Sequence, residues 1–145
     1  MKTQISLFLA ALMLISGAYA RDTHQMLSIQ EAMNTPAAQE KLDKNISFYF
    51  GNQKHPRVIK KLGNFMSNKK TNAFGKSDEK ACNWAFLSAM LSFQDRIRNM
   101  GGNAVINIHS YYYKNDMSSS KEYECGAGNV IAGVTFTGDV VKLAK

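Results

Sequence analysis

Few residues in this chain can do chemistry, and their types divide into three groups. Cys82 and Cys125 offer either a thiolate nucleophile or a disulfide. His24, His55 and His109 offer proton transfer or metal ligation, but they are too scattered in sequence to form a recognisable metal motif, so no metal site and no cofactor is expected. His109 is the one acid–base candidate, because it falls on the polar face of an expected strand with Glu122 or Glu124 across a hairpin. The alternative is a hydrogen-bonded surface histidine. Gly75-Lys76-Ser77 matches the end of a phosphate-binding loop, yet position 70, where that motif needs its first glycine, is Lys70. Tyr111, Tyr112, Tyr113 and Tyr123 suit either a recognition surface for a peptide or glycan or cross-strand packing.

The third group is a run of cations. Residues 54–80 hold eight positive side chains, Lys54, Arg57, Lys60, Lys61, Lys69, Lys70, Lys76 and Lys80, against Asp78 and Glu79. Their net charge of +6 equals that of the whole of residues 21–145, so all of the excess charge sits in this one stretch. Folded onto one face, it would attract phosphates or acidic head groups. Lys60, Lys61, Lys69 and Lys70 are expected to touch the partner and Lys54 and Arg57 to steer it, with Lys76 alongside. Asn72, Phe74 and Tyr49 would supply hydrogen bonds or an aromatic wedge. The competing reading is a solvated basic face that keeps the protein in solution.

The first 20 residues set the compartment. Met1-Lys2 leads into an apolar run over 5–15 and then Ala18-Tyr19-Ala20, the pattern of a signal peptide with its cleavage site. The run is shorter than the roughly 20 residues that cross a bilayer, and no later segment approaches that length. Residues 21–145 are therefore expected to form one exported domain, periplasmic or secreted. Cysteines in an oxidising compartment pair, so Cys82 and Cys125 are expected to form one disulfide, with a catalytic thiol as the alternative. Closing a loop of 43 residues would stabilise the fold by roughly 4 kcal/mol in the chain-entropy model.

The elements that must position these groups are legible in part. Ser28-Ile29-Gln30-Glu31 has capping-box spacing, and Thr35-Pro36 opens a second short helix to about Leu42. The run 46–50 predicts a strand, and a second is expected between Arg57 and Lys69. A long helix opens at Ser77, with Asp78 and Glu79 in its first turn, and stops at Gly101-Gly102. Ala81, Ala85, Ala89, Phe93 and Ile97 recur along it, a buried stripe whose alanines allow close approach to a sheet. After Gly102 the period falls to two. Ala104, Ile106 and Ile108 should share one face and Asn107 and His109 the other. A polar loop follows at 114–120, then a strand over 121–125. The last strand should point Val130, Ala132, Val134 and Phe136 one way, with a bulge at Gly138. Together these predict an α+β domain in which one long helix packs on an antiparallel sheet, with short N-terminal helices and one disulfide.

Two resemblances follow from particular stretches. The helix ending in Gly101-Gly102, the sequence Asn103-Ala104-Val105-Ile106-Asn107-Ile108, the cysteine-bearing hairpin and the Gly-Val strand resemble small envelope domains related to the Rcs stress-sensor lipoprotein and the YbjQ-type fold, over roughly Val58 to Leu143. That resemblance implies an envelope signalling or assembly role through protein contacts, and it ties a cysteine at the start of the long helix to the later hairpin, where Cys82 and Cys125 stand. Tyr49-Phe50-Gly51, Gln53-Lys54-His55-Pro56, the stretch 70–78 and Gly101-Gly102-Asn103-Ala104-Val105 are similar to small exported Gram-negative proteins that commonly carry the name of an excinuclease. The ATP-driven activity in that name needs a phosphate loop and zinc-holding cysteine pairs, and this chain has neither. Compared with the stress sensor, it has two cysteines rather than four, no acylated cysteine and no long Pro-rich linker. The sequence therefore supports a non-enzymatic exported binding module whose basic stretch engages an anionic partner such as a phospholipid head group. An envelope or host protein is the other partner it suggests.

Overall fold

The computed structural model describes residues 22–145. The expected signal peptide at 1–20 lies outside them. Ten elements follow in order: strand β1 (Asp22–Ser28), helices α1 (Ile29–Met33) and α2 (Pro36–Lys41), strands β2 (Ser47–Phe50) and β3 (Val58–Asn72), helix α3 (Asp78–Met100), and strands β4 (Ala104–Tyr112), β5 (Asn115–Met117), β6 (Glu122–Gly128) and β7 (Ile131–Leu143). They form an α+β fold with a seven-stranded sheet. Among the described residues no helix is long and apolar enough to cross a membrane.

Local chemistry sets the helix ends. The hydroxyls of Ser28, Thr35 and Ser77 each accept a hydrogen bond from the backbone N–H three residues on, which satisfies a donor the helix itself leaves unpaired. At the far end of α3, Gly101 takes a left-handed φ of 74°, Gly102 N–H donates to Ile97 and Gly101 N–H to Arg98. This is a Schellman stop, and it needs a residue without a Cβ penalty at Gly101.

The sheet is built around β7. It pairs antiparallel with β3 along its whole length, and its other edge takes β6 near its start and β4 further on. β1 flanks β6, and β2 flanks β4. The sheet is mixed rather than antiparallel throughout, because β2 runs parallel to β4. Between those two strands the chain travels through β3 and the full length of α3, a crossover that returns it in its original direction.

Helix α3 lies across the inner face of this sheet. Ala81, Ala85 and Ala89 are fully buried along it, and Cys82 joins Cys125 of β6 in the expected disulfide, with Cα atoms 6.0 Å apart. Beneath the helix, Phe86 meets Phe50, Tyr123 and Phe136 at ring separations of 5.7, 4.8 and 5.7 Å. Such buried aromatic pairs add to their area burial about 0.5–1.5 kcal/mol each. Tyr123 is wholly inside and donates to Asn83, so it is no part of a surface tyrosine cluster; burial, with Glu79 nearby, holds its phenol well above the ordinary value.

One irregularity reorders β4. Two residues there, Asn107 and Ile108, stand opposite the single Gly138 of β7, and Asn107 takes φ 51°. The bulge thus lies across from the glycine expected to carry it. Its effect is that Val105 and Ile108 both reach the main core, whereas Ala104 packs in a separate cluster with Val141 and Leu143 and Ile106 lies against it. The strict alternation of Ala104, Ile106 and Ile108 therefore fails at the extra residue. Gly138 has a packing reason instead: a Cβ there would stand 2.7 Å from Val105 Cγ2. Further bulges in β3, at Ile59 and Leu62, shift its register against β7.

Candidate functional site

The basic residues lie along β3 and its two ends. Among the described residues this strand pairs with β7 alone, so its other edge is free. Fifteen residues long, it spreads its lysines over a ridge rather than gathering them on one compact face. Lys60–Lys61 and Lys69–Lys70 are separated by roughly 30 Å at about 3.3 Å per residue. At the first end stand Lys54, Arg57, Lys60 and Lys61, all exposed. Lys60 pairs in register with Lys142, which adds another cation to that end, and Tyr49 and His55 meet edge to face nearby at 5.6 Å.

At the second end the two lysines project to different sides, as successive strand residues must. Lys69 and Lys70 border a groove of about 620 Å³ between β3 and α3, whose other walls include Ser88, Ser92, Asp95 and Arg96. Arg96, read from sequence only as part of a wet helix end, lies 4.5 Å over the Phe65 ring and adds a third cation here. Lys70 also reaches the open side of the sheet. Lys76 folds back, its ammonium donating to the carbonyl of Asn72 at 2.9 Å. Among the described residues none of Lys54, Arg57, Lys60, Lys61, Lys69, Lys70 and Lys76 is ion-paired; the pairs present there are His24–Glu124, Arg98–Asp43 and His109–Asp116. In the second of these, a backbone hydrogen bond from Asn45 and then the Arg98 guanidinium hold the Asp43 carboxyl below its usual value.

The open face of the sheet, opposite α3, carries a cleft of about 640 Å³. Gly128 and Gly133 give it a floor without side chains, Gly126 lies beneath Tyr112, and Tyr111, Tyr112 and Tyr113 form a wall, with Asn68, Lys70, Lys114 and Asp22 around the rim. Tyr112 lies so close over Gly126 that its hydroxyl occupies the space a Cβ would need. Its other neighbours are His24, stacked at 5.4 Å, and Tyr113 at 4.4 Å. Burial first, then the hydrogen bond with Tyr113 and the nearby acids Asp22 and Glu124, push the Tyr112 phenol up to about 12. Tyr113 and Lys114 take φ 49° and 63° in the two-residue turn between β4 and β5, positions that usually belong to Asn and Gly.

The histidines are partnered differently from expectation. His109 does not meet Glu122 or Glu124: its Nε2 is 2.9 Å from Asp116 and 3.2 Å from the Thr137 hydroxyl, and its Nδ1 faces the Asn107 carbonyl. Asp116 arrives there because 115–117, read as loop, pairs with β4 as β5. Glu124 belongs to His24, whose Nε2 meets its Oε1, and its second oxygen is buried with no hydrogen-bond partner among the described residues. The sequence offered little sign of this pair, because Asp22, Thr23, His24 and Gln25 are all polar and give β1 no alternation.

No protein-family model matches this chain, and no curated protein is significantly similar to it.

Proposed function

We propose that this protein is an exported, non-enzymatic binding module that engages an anionic partner through the cations of β3 and its flanking turns. One observation carries the reading: seven cationic side chains spread along and beside a free edge strand have no carboxylate partner among the described residues. Cations without a carboxylate beside them leave their field, screened only by salt, available to an anionic ligand. The signal-peptide pattern of residues 1–20 supports the exported part of this reading, and the disulfide is compatible with an oxidising compartment.

The test is binding to inorganic polyphosphate and to anionic phospholipid vesicles across a salt series. Affinity should fall steeply as ionic strength rises, and replacing Lys60, Lys61, Lys69 and Lys70 by Gln should abolish it. Binding that ignores both salt and these substitutions would overturn the reading and leave the lysines as guards against edge-to-edge strand pairing.

The tyrosine cleft favours a second reading, an envelope protein that works through a peptide or protein partner. Tyrosine gives large contact area at low entropy cost, and a glycine floor admits a backbone. Such binding should survive the lysine substitutions and be lost on Tyr111→Ala.

A further inference from the structure

We infer that the end of the sheet made by the 73–76 turn and the 129–131 turn is an anchor for a lipid interface: Phe74, Val130 and Ile131 enter the head-group region of an anionic bilayer while Lys70, Lys76 and Lys114 meet its phosphates. This rests on the anionic-partner reading above and names the anionic lipid surface as that partner.

Exposure is the first observation. Phe74, Val130 and Ile131 are 74%, 60% and 53% exposed. Single exposed apolar residues are ordinary. These three are neighbours: Ile131 pairs in register with Asn72, and Ala73 N–H donates to the Val130 carbonyl at 2.7 Å. Together they make an apolar prow on two hydrogen-bonded turns.

The second observation is that the prow is held outward. Ala73 fills the inward position and is buried. Phe74 N–H donates to the Asn72 side chain at 2.9 Å, Lys76 N–H donates to the Ala73 carbonyl at 3.1 Å, and Gly75 closes the turn at φ 70°. With the backbone held this way, Ala73 faces inward and Phe74 stands out from the turn.

Charge complementarity identifies the occupant. Lys76 is two residues from Phe74 and is tied to Asn72, while Lys70 and Lys114 share the cleft rim with Ile131. Among the described residues Asp22 is the one carboxylate in that rim. Apolar side chains with cations nearby are the two signals that interfacial attachment combines, burial at the acyl boundary and attraction to anionic head groups, and here three lysines stand beside the prow with Asp22 in the rim and Asp78 and Glu79 in the first turn of α3. Val130 and Ile131 offer nothing to a nucleic-acid phosphate or base edge. Lipid uses both halves of the surface.

The experiment compares the purified, oxidised protein with two variants, Val130→Ser/Ile131→Ser and Lys70→Gln/Lys76→Gln/Lys114→Gln. Each is titrated against phosphatidylglycerol-containing vesicles, phosphatidylcholine vesicles and inorganic polyphosphate, and thermal melts check that the exposed substitutions leave the fold intact. The expected result is binding to anionic vesicles alone among the two lipids. The serine variant should lose about tenfold or more on vesicles and nothing on polyphosphate, and the glutamine variant should lose affinity for both. Phe74→Trp should show a blue-shifted emission on anionic vesicles, above the background of Trp84, which sits on α3 beside α2. Equal vesicle binding by wild type and serine variant, without a blue shift, would overturn the anchor while leaving the polyanion reading standing. Binding to polyphosphate but to no vesicle would do the same. Failure to bind either vesicles or polyphosphate would overturn both.

Discussion

The two faces of the sheet come from the same strands and are built on opposite terms. Toward α3, the residues are alanines and interlocked aromatics, and the approach is so close that a Cβ on Gly138 would collide with Val105. Away from α3, the same strands expose Met66, carry glycines at 126, 128 and 133 and raise a wall of tyrosines. Burial that fixes the fold is thus concentrated on one face, which leaves the other face and the turn tips open to a partner. Density on one side permits openness on the other.

That contrast can be broken or sharpened by substitution. Replacing Cys82 and Cys125 by Ser removes the clamp between helix and sheet and should cost about 4 kcal/mol, read as a lower midpoint in denaturant. Ala85→Leu forces volume between α3 and the sheet and should cost about 2–3 kcal/mol in the same assay; a neutral result would show that the inner face is looser than its burial implies. On the open face, Gly126→Ala drives a Cβ into the Tyr112 ring, which must swing off His24 and Tyr113, so the loss should be about 1–2 kcal/mol. It should also weaken any ligand of the cleft. Met66→Gln, at an exposed position, should change stability by less than about 0.5 kcal/mol.

Tyr112 gives a pH test of the open face. Its phenol ionises at about 12 in the folded protein and at 10.0 in the unfolded chain. The neutral form is favoured by folding, so this contribution is fully present below pH 10 and is lost as pH rises through 12. Chemical denaturation at about pH 9 and about pH 11.5 should show a decline that is smaller in Tyr112→Phe. An equal decline in the variant would place the alkaline loss elsewhere.

How much of this was legible depended on whether the signal was local. Caps at Ser28, Thr35 and Ser77 and the Gly101-Gly102 stop were readable because capping joins residues three to five apart. The strand β3 was expected, three residues shorter at its far end than it is, despite lysines on both faces. β1 was missed, since neither face of Asp22–Ser28 is consistently apolar. Val130, expected to point inward with Ala132, lies in the turn before β7 and is exposed. Arg96 looked like helix surface because its partner Phe65 is on another element.

By itself the sequence determined the helix boundaries, the concentration of charge in 54–80 and the availability of two cysteines for one bond. Each is a matter of composition or of spacing within a few residues. Tertiary structure decided that β2 runs parallel to β4, that Asn107 resets the faces of β4, that Glu124 meets His24 rather than His109, and that Phe74 stands beside Val130 and Ile131. These are pairings between distant segments, fixed by strand register and helix packing. No local pattern encodes them, because a one-residue change in register would send every side chain to the other face.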